Sequence, residues 1–376
     1  MLKRLYADNF RCLVNFELKL ERVNLLLGEN GTGKTTVFDV LYRLQQFLAG
    51  NAKVPAVFPS SDLTCWQTNG SQRFELDFEV GKEAYHYALV IEHDEDRRRA
   101  KVRSERLLFK GRELFDFQDG LAQLYHDDFT AAPQRYPFDW TQSGVAVQQP
   151  RPDNKKLTHF RDGMQKLIIA GVQPAMMTSE SREEAAALSR NMENFVSWYR
   201  YLSQEHQGAV LSIFTELKRV LPGFSSCSLK EAGEARVMKV LFDRPDASGR
   251  PIPYDFARLS DGQRVLIALY SLLFGLKDEG VSLFLDEPDN FVALREVQPW
   301  LMALTDLAGE GIEQAVLISH HPEIINYLAA SSGRWFERES NVPARVRDKP
   351  KAVAEGLTMA EAVARGWEKW AQTPSR

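Results

Sequence analysis

A glycine-rich segment near the start of the chain has the residue types of a phosphate-binding loop. It reads Gly28-Glu-Asn-Gly-Thr-Gly-Lys-Thr35 and matches GxxxxGK followed by Ser or Thr. Its glycines let backbone N–H groups turn toward phosphate, and the N-terminus of the following helix adds partial positive charge. We expect Lys34 to reach the β- and γ-phosphates of a nucleotide, and the Thr35 hydroxyl to hold Mg²⁺. The expected nucleotide-binding residues of this segment are Asn30, Gly31, Gly33, Lys34, Thr35 and Thr36.

Two acidic residues end an apolar run later in the chain. Residues 281–290 read VSLFLDEPDN, which is typical of a buried parallel strand with carboxylates at its carboxyl end, where ligands bind in such sheets. Asp286 is suited to bind Mg²⁺, and Glu287 to polarise the water that attacks a γ-phosphate. A solvated strand-to-loop turn would look the same, so this interpretation depends on the phosphate loop in the same chain.

Two further segments have the form of ligand sites at the ends of elements. Leu259-Ser-Asp-Gly-Gln263 precedes an amphipathic helix, with Ser260 suited to cap that helix and Gly262 suited to let backbone approach a ligand. The segment AVLISHHPEII places His320 and His321 after a strand. A lone histidine at a strand end is usually structural, so its meaning depends on the other motifs.

The elements that must position these residues are readable from hydrophobic spacing. ERVNLLLG is typical of a buried strand that leads into the glycine-rich turn, and residues 35–48 carry apolar residues at helical spacing. Residues 73–80 and 84–91 predict a hairpin that turns at Gly81-Lys82. The periods of residues 183–204 and 208–220 predict two helices.

In their order along the chain, these motifs resemble a known family. LSDGQ is close to the LSGGQ signature of ATP-binding-cassette (ABC) ATPases and precedes the acidic strand, as that family requires. The resemblance implies an α/β fold: an ABC-type P-loop NTPase with a mixed central sheet, an antiparallel β subdomain and a helical insertion. It implies ATP and Mg²⁺ as ligands, and it favours His320 over His321 as the switch histidine that acts with Glu287. The signature residues expected to contact nucleotide are Ser260, Gly262 and Gln263.

The opening ADNFRCL, followed by a strand and GENGTGKTT, resembles one branch of that family. This branch contains RecF, the heads of structural-maintenance-of-chromosomes (SMC) proteins and the overcoming-lysogenization-defect (OLD) ATPases, and it places Arg11 near the nucleotide phosphates. Lys34 and Ser260 are 226 positions apart (260 minus 34), farther than in transporter subunits. We expect a compact member without coiled-coil arms or an OLD-type nuclease domain, since 56 residues (376 minus 320) follow His320.

Two features depart from the family pattern or leave it open. The loop after the acidic strand has Ala293 near the position of an Asp that usually helps to couple two protomers. This substitution puts communication between two ATP sites in question. The glutamine of the family's Q-loop has four candidates, which are Gln67, Gln123, Gln134 and Gln142.

We expect four segments along the chain. An N-terminal lobe with antiparallel strands and the phosphate loop covers 1–115, and a mostly helical insertion covers 116–225. A C-terminal lobe with the signature, the acidic strand and the switch histidine covers 226–335. A tail with a short helix covers 336–376, and this helix either packs on the core or mediates assembly.

Composition limits the class of protein and its setting. The 376 residues include 47 basic and 51 acidic side chains, for a net charge of −4, and 44% are hydrophobic. These values exclude a disordered chain, a fibre and a protein that holds nucleic acid by bulk charge. Three scattered cysteines without a CxxC pair favour a reduced, cytoplasmic setting without structural zinc. The longest apolar stretch is too short to span a bilayer, so we expect no membrane partner.

The resemblance implies a homodimer that clamps two ATP molecules head to tail, and it leaves a larger assembly open. The first hypothesis for its purpose is a DNA-associated process in genome maintenance or anti-phage defence. Basic runs at 97–112 and 334–351 support it, although four acids at 92–96 offset the first run. The alternative is an ATP-dependent scaffold or sensor that binds and releases a separate effector protein, such as a nuclease or toxin. The expected lack of a nuclease domain favours this alternative.

Overall fold

The computed structural model describes residues 1–50, 52–94, 99–244, 249–347 and 358–364. The chain forms two compact units. The first contains residues 1–167 and 332–350, and the second contains residues 168–331 and 351–376. The four segments expected from the sequence follow other boundaries and remain a prediction.

Strands dominate the first third of the chain, and helices become more frequent after it. The strands are β1 (Leu2–Asp8), β2 (Phe16–Lys19), β3 (Val23–Leu27), β4 (Ser71–Val80), β5 (Glu83–Asp94), β6 (Arg99–Phe109), β7 (Arg112–Gln118), β8 (Leu121–Leu124), β9 (Tyr136–Pro137), β10 (Leu167–Gly171), β11 (Glu180–Ser181), β12 (Phe224–Ala232), β13 (Ala235–Phe242), β14 (Ile252–Asp255), β15 (Ser282–Asp286), β16 (Gln314–Ile318), β17 (Gly333–Glu337) and β18 (Arg345–Arg347). The helices are α1 (Lys34–Leu48), α2 (Val54–Val57), α3 (Lys155–Gln165), α4 (Phe195–Glu205), α5 (Gln207–Val220), α6 (Asp261–Gly275), α7 (Leu294–Leu307), α8 (Pro322–Ser332) and α9 (Met359–Ala364).

An eight-stranded antiparallel sheet forms much of the first unit, in the order β2-β1-β4-β5-β6-β7-β8-β9. Buried and more exposed residues alternate along its long strands, as in β6, because one face packs on the core. The predicted hairpin is confirmed: β4 and β5 pair up to Val80 and Glu83, and both turn residues, Gly81 and Lys82, have positive φ.

The first unit also contains the strand that leads into the phosphate loop. Strand β3 is a short, almost fully buried run, and α1 follows the loop with nine buried residues along its length. Strand β17, from the far end of the chain, pairs with β3 in parallel, and β18 pairs with β17 antiparallel. A late segment of the sequence therefore belongs to the same unit as the phosphate loop.

The second unit has parallel strands flanked by helices. Strand β15 pairs in parallel with β16, with Asp286 opposite Ile318, and β10 lies on the other side of β15. Helix α6 is buried over most of its length, from Val265 to Leu273. A separate small sheet joins β11, β13, β12 and β14. Parallel strands in one unit and an antiparallel sheet in the other agree with the mixed α/β fold class.

One predicted helix begins later than its period indicates. The sequence predicts helix over 183–204, but α4 begins at Phe195. The Asn194 side chain accepts a hydrogen bond from the Ser189 N–H (2.8 Å) and donates one to the Ala187 carbonyl (2.9 Å). Such side-chain bonds to local backbone compete with helix, so the preceding residues form turns instead.

The region 116–225, expected to be mostly helical, contains α3, α4 and α5 together with short strands and irregular stretches, and only His206 separates α4 from α5. The expected C-terminal helix is present as α9, and the backbone N–H of Ala360 donates to the Asn326 side chain (2.9 Å). Trp367 and Trp370, expected near its apolar face, lie outside the described residues. Within the described ranges, we find no helix long and apolar enough to cross a membrane.

A buried carboxyl organises the first unit away from the phosphate loop. Glu105 is fully buried and accepts hydrogen bonds from the Tyr87 hydroxyl (2.8 Å), the Ser143 hydroxyl (2.6 Å) and the Gly144 N–H (2.6 Å). These contacts fix the loop at residues 143–146 against β5 and β6. Burial raises the pKa of Glu105, although the hydrogen bonds oppose that shift.

We expect Glu105→Ala to lower the free energy of unfolding by about 3 kcal/mol or more, because it leaves several buried donors without an acceptor. The control Glu83→Ala changes a half-buried glutamate of β5 that lies 3.8 Å from Lys110 and 3.7 Å from His159, and it should cost less than about 1 kcal/mol. Urea unfolding followed by circular dichroism measures both. Equal losses for the two variants would contradict this role of Glu105.

The same residue predicts a pH effect of defined sign. Because the pKa of Glu105 is raised on folding, the native state keeps a proton that the unfolded chain releases above about pH 4.3. The contribution of Glu105 to stability therefore falls as pH rises from that value to the raised pKa. We expect the stability of wild type relative to Glu105→Gln to decline over this range in a pH series of urea titrations, and a flat difference would contradict it.

Candidate functional site

The phosphate loop is shaped by three glycines with positive φ. Gly28, Gly31 and Gly33 have φ of 146°, 81° and 103°, conformations that L side chains rarely adopt. Lys34 is buried, and its Nζ donates to the carbonyl oxygens of Gly28 (2.7 Å) and Glu29 (2.9 Å). Helix α1 begins at Lys34, so the N–H groups of its first turn, which includes Thr35 and Thr36, lie next to the loop.

This loop satisfies the requirements of a phosphate site. Gly31 has no atom within 4 Å of the position that a Cβ would occupy, so the outer side of the loop is open. A helix N-terminus and a lysine supply positive charge at the same place. The Thr35 hydroxyl and, in the second unit, the Asp286 carboxylate are oxygen ligands of the kind that Mg²⁺ takes alongside phosphates and water.

A segment outside the sequence motifs packs against the phosphate loop and supports it. A Cβ on Gly28 would lie 2.4 Å from the Phe336 carbonyl oxygen, and one on Gly33 would lie 3.3 Å from the Ala344 Cβ. The Arg338 guanidinium donates to the Gly31 carbonyl (2.9 Å) and lies over the Trp66 ring at 5.3 Å. Residues 336–344 therefore hold the phosphate loop in its conformation.

Arg11, expected near the nucleotide phosphates, has carboxylate partners within the protein. Its guanidinium pairs with Asp39 at 2.5 Å and with Asp62 at 2.7 Å. The next residue, Cys12, contacts the phosphate loop, because its Sγ lies 3.7 Å from the Thr36 Oγ1. Arg11 is thus beside the loop in the first unit, and its contact with nucleotide stays a prediction.

In the second unit, both acidic residues lie at the carboxyl end of β15, beside the end of the parallel strand β16. Asp286 ends β15, and the next residue, Glu287, has a left-handed backbone (φ 48°) whose N–H donates to the Ile318 carbonyl at 2.9 Å. The Asn290 side chain donates to Glu287 Oε2 (2.7 Å) and so orients that carboxylate. Glu287 therefore turns out of the sheet at the point where Asp286 ends it.

The two histidines after β16 differ in their surroundings. The His321 N–H donates to the Ser319 hydroxyl oxygen (2.9 Å), and its Nδ1 accepts from the Glu323 N–H (3.2 Å) at the start of α8. His320 has an exposed side chain next to it. His321 thus caps a helix, which favours His320 as the functional residue.

The signature segment forms the N-terminus of α6. The Ser260 hydroxyl accepts from the Gln263 N–H (3.3 Å), and the Gln263 side chain accepts from the Ser260 N–H (3.1 Å), which is a capping box. The predicted cap is confirmed. The Cβ position of Gly262 faces this chain, because a Cβ there would lie 2.7 Å from the Phe291 carbonyl oxygen. The expected approach of its backbone to a ligand stays a prediction.

The four glutamines considered for the Q-loop all lie in the first unit. Gln67 donates to Asp8 (2.9 Å), Gln123 to the Ala132 carbonyl (2.9 Å) and Gln142 to Asp139 (3.2 Å), while Gln134 is exposed.

A fifth glutamine follows a strand of the second unit. Gln173 comes two residues after the end of β10, which lies beside β15, and a Cβ on Gly171 would be 3.7 Å from the Asp286 carbonyl oxygen. The signal in the sequence was a buried strand, LIIAG, followed closely by glutamine.

The sequence matches one family over most of its length. Residues 23–326 match the family described as "AAA domain, putative AbiEii toxin, Type IV TA system". The chain belongs to this family. No curated protein matches its sequence. It is a P-loop ATPase of the AAA/ABC type.

Two solved structures are similar to this AAA-domain protein in fold. One, the Smc head bound to the C-winged helix domain of ScpA, is 12% identical with a TM-score of 0.56, over 92% of this chain and 96% of that one. The other, from Pyrococcus furiosus, is the Smc head domain with an extended coiled coil bound to the C-terminal domain of ScpA. It is 13% identical with a TM-score of 0.54, over 98% of both chains. The expected ABC-type fold is thereby confirmed.

We expect Gly28→Ala to weaken ATP binding more than about tenfold, which is 1.4 kcal/mol, because a Cβ would displace the Phe336 carbonyl. The control Gly111→Ala also changes a glycine with positive φ (79°), but no atom lies within 4 Å of its Cβ position. It should cost only about 1–2 kcal/mol of backbone strain and leave binding unchanged. Titration with a fluorescent ATP analogue measures both, and equal affinities would contradict the support from residues 336–344.

Proposed function

We propose that this protein binds Mg²⁺-ATP between two copies of the chain, hydrolyses it, and uses the cycle to gate a DNA-associated process. The observation that carries the proposal is the coexistence of a formed phosphate loop with Asp286 and Glu287 at the carboxyl end of the parallel strand β15. One without the other would indicate only nucleotide binding or only a polar loop. Together they are the parts that phosphoryl transfer requires.

Each residue has a defined task in this proposal. Lys34 and the N–H groups of the loop bind the β- and γ-phosphates, and Thr35 and Asp286 hold the metal ion, which neutralises phosphate charge when bound. Glu287, oriented by Asn290, positions the attacking water and accepts its proton. Gln173 follows β10, the strand beside the one that ends in Asp286, and it orients this water or the metal's water ligands. His320 contacts the γ-phosphate and senses its loss.

The signature segment completes the site in the partner copy. Ser260, Gly262 and Gln263 form a capped helix N-terminus, which suits a γ-phosphate of the opposite protomer. Because this contact exists only while the γ-phosphate is present, ATP holds the dimer together and hydrolysis releases it. A homodimer is the smallest assembly that this arrangement requires.

The DNA-associated purpose draws on the fold shared with SMC heads and on exposed basic residues of β6. Two of the four basic residues of β6 have acidic partners: Lys101 pairs with Glu92 at 2.9 Å and Arg106 with Glu113 at 2.6 Å. Arg103 is exposed and has no ion pair among the described residues. A contact with DNA on this strand therefore depends mainly on Arg103 and its neighbours.

The alternative function, release of a separate effector protein, has its own support. The family description includes a toxin of a type IV toxin–antitoxin system, in which action through a second protein is expected. Both similar SMC heads are also bound to another protein, ScpA. Defence against phage agrees with either version.

We expect Glu287→Gln to bind ATP but hydrolyse it at least about 100-fold more slowly, because the general base is lost. The variant should therefore accumulate as an ATP-bound dimer. Light scattering after size-exclusion chromatography, with and without ATP, measures this mass. The control Glu310→Gln changes an exposed glutamate on a turn and should behave as wild type. Wild-type hydrolysis by Glu287→Gln would remove Glu287 from the mechanism.

If DNA is the partner, duplex DNA should stimulate ATP hydrolysis, and Arg103→Glu should weaken DNA binding and reduce its salt dependence by about one phosphate contact. Arg106→Glu, at a residue already paired with Glu113, is the matched comparison and should have a smaller effect. DNA titrations at several salt concentrations measure the slope. The absence of any DNA effect, together with a stable co-purifying protein, would favour the effector alternative.

A further inference from the structure

The loop that follows Glu287 is tightly folded and strained. It covers residues 287–292, between β15 and α7, and two of its non-glycine residues have left-handed backbones, Glu287 (φ 48°) and Phe291 (φ 75°). Short-range hydrogen bonds close it, from the Asn290 N–H to the Glu287 carbonyl and from the Val292 N–H to the Asp289 carbonyl. Such conformations persist where surrounding contacts hold them.

Asp289 is a buried residue at the centre of this loop, and it has no role in the steps of ATP hydrolysis proposed above. The residue is 6% exposed, its side chain accepts a hydrogen bond from the Ser319 hydroxyl, and Glu287 and His321 lie nearby. Burial raises its pKa. Its Oδ1 has no hydrogen-bond partner within the part of the chain that the structure describes.

Ser319 extends this contact to the histidine loop. It is fully buried at the end of β16, and its hydroxyl oxygen accepts from the His321 N–H at 2.9 Å. Asp289, Ser319 and the His321 backbone thus form one chain of hydrogen bonds. The chain joins the loop that carries Glu287 to the loop that carries His320.

The other end of the loop contacts the signature segment of the same protomer. A Cβ on Gly262 would lie 2.7 Å from the Phe291 carbonyl oxygen, so only glycine fits there without displacing the loop. Gly262 is the second residue of α6, whose cap is formed by Ser260 and Gln263. A movement of the loop would therefore press on the start of α6.

We propose that Asp289 is a positioning residue that ties the loop at residues 287–292 to Ser319, so that Glu287, the histidine loop and the signature glycine move as one. This inference rests on the proposed ATPase function. In this proposal, Asp289 couples the loop to the histidine loop and the signature within one protomer. Ala293 lies near the position of the Asp that usually helps to couple two protomers in this family.

Steady-state kinetics test the positioning role. Asp289→Ala and Ser319→Ala should each lower kcat for ATP by up to about 100-fold, the cost of a misplaced catalytic group, while the affinity for an ATP analogue changes little. Asp289→Asn keeps an oxygen that accepts from Ser319 and should recover most of the activity. The control Asp306→Asn, at an exposed position of α7, should match wild type. Unchanged kcat in Asp289→Ala would overturn the proposal.

Two further readouts separate positioning from a general loss of structure. Gly262→Ala displaces the same loop, so the double variant with Asp289→Ala should be no slower than the slower single variant. Additive losses would overturn the link to the signature. In nucleotide-free protein, Asp289→Ala should speed hydrogen exchange at the His321 N–H and in the first turn of α6, and unchanged exchange at both would also overturn it. Hydrogen exchange does not need ATP hydrolysis, so it tests the coupling separately from the proposed function. A wild-type protein that does not hydrolyse ATP would contradict the proposed function instead.

Discussion

The conformation of the phosphate loop depends on the parallel pairing of β17 with β3. This pairing brings the Phe336 carbonyl against Gly28, where no side chain fits, and it leads into the residues that hold Gly31 and Gly33. Lys34 and the Thr32 hydroxyl donate to carbonyls of the same loop, and the contacts with residues 336–344 add to these bonds at three glycines whose positive φ other residues rarely adopt. A segment more than 300 residues away in sequence (336 minus 28 is 308) therefore determines the shape of the site.

A similar dependence exists in the second unit. Glu287 lies on a strained turn, and its position is fixed by the Ile318 carbonyl of the neighbouring strand and by Asn290. The parallel register of β15 and β16 places Asp286 opposite Ile318, so the acidic loop and the histidine loop start at the same level of the sheet. Parallel strands make this possible because their carboxyl ends meet at one edge.

The features that could be predicted from the sequence are those that depend on local geometry. The turn at Gly81-Lys82, the glycine loop before α1 and the cap at Ser260 were predictable, because each is formed by residues within a few positions of one another. The start of α4 was predicted too early. The Asn194 side chain bonds to the backbone of the residues before the helix, and hydrophobic periodicity does not reveal such bonds. Gln173 and the segment 336–344 were missed, because their meaning comes from strands that are adjacent in space and distant in sequence.

Gly262 shows how one residue type supports two interpretations. From the sequence, we expect this glycine to let the backbone approach a ligand, whereas in the structure the Phe291 carbonyl lies next to its Cβ position. These roles are compatible, because a helix N-terminus can bind phosphate through its N–H groups while its side-chain position packs against a loop. The glycine then makes the signature sensitive to the loop that carries Glu287. Any rearrangement of that loop on hydrolysis must change the fit at Gly262, because a carbonyl in van der Waals contact cannot move inward without displacing the helix.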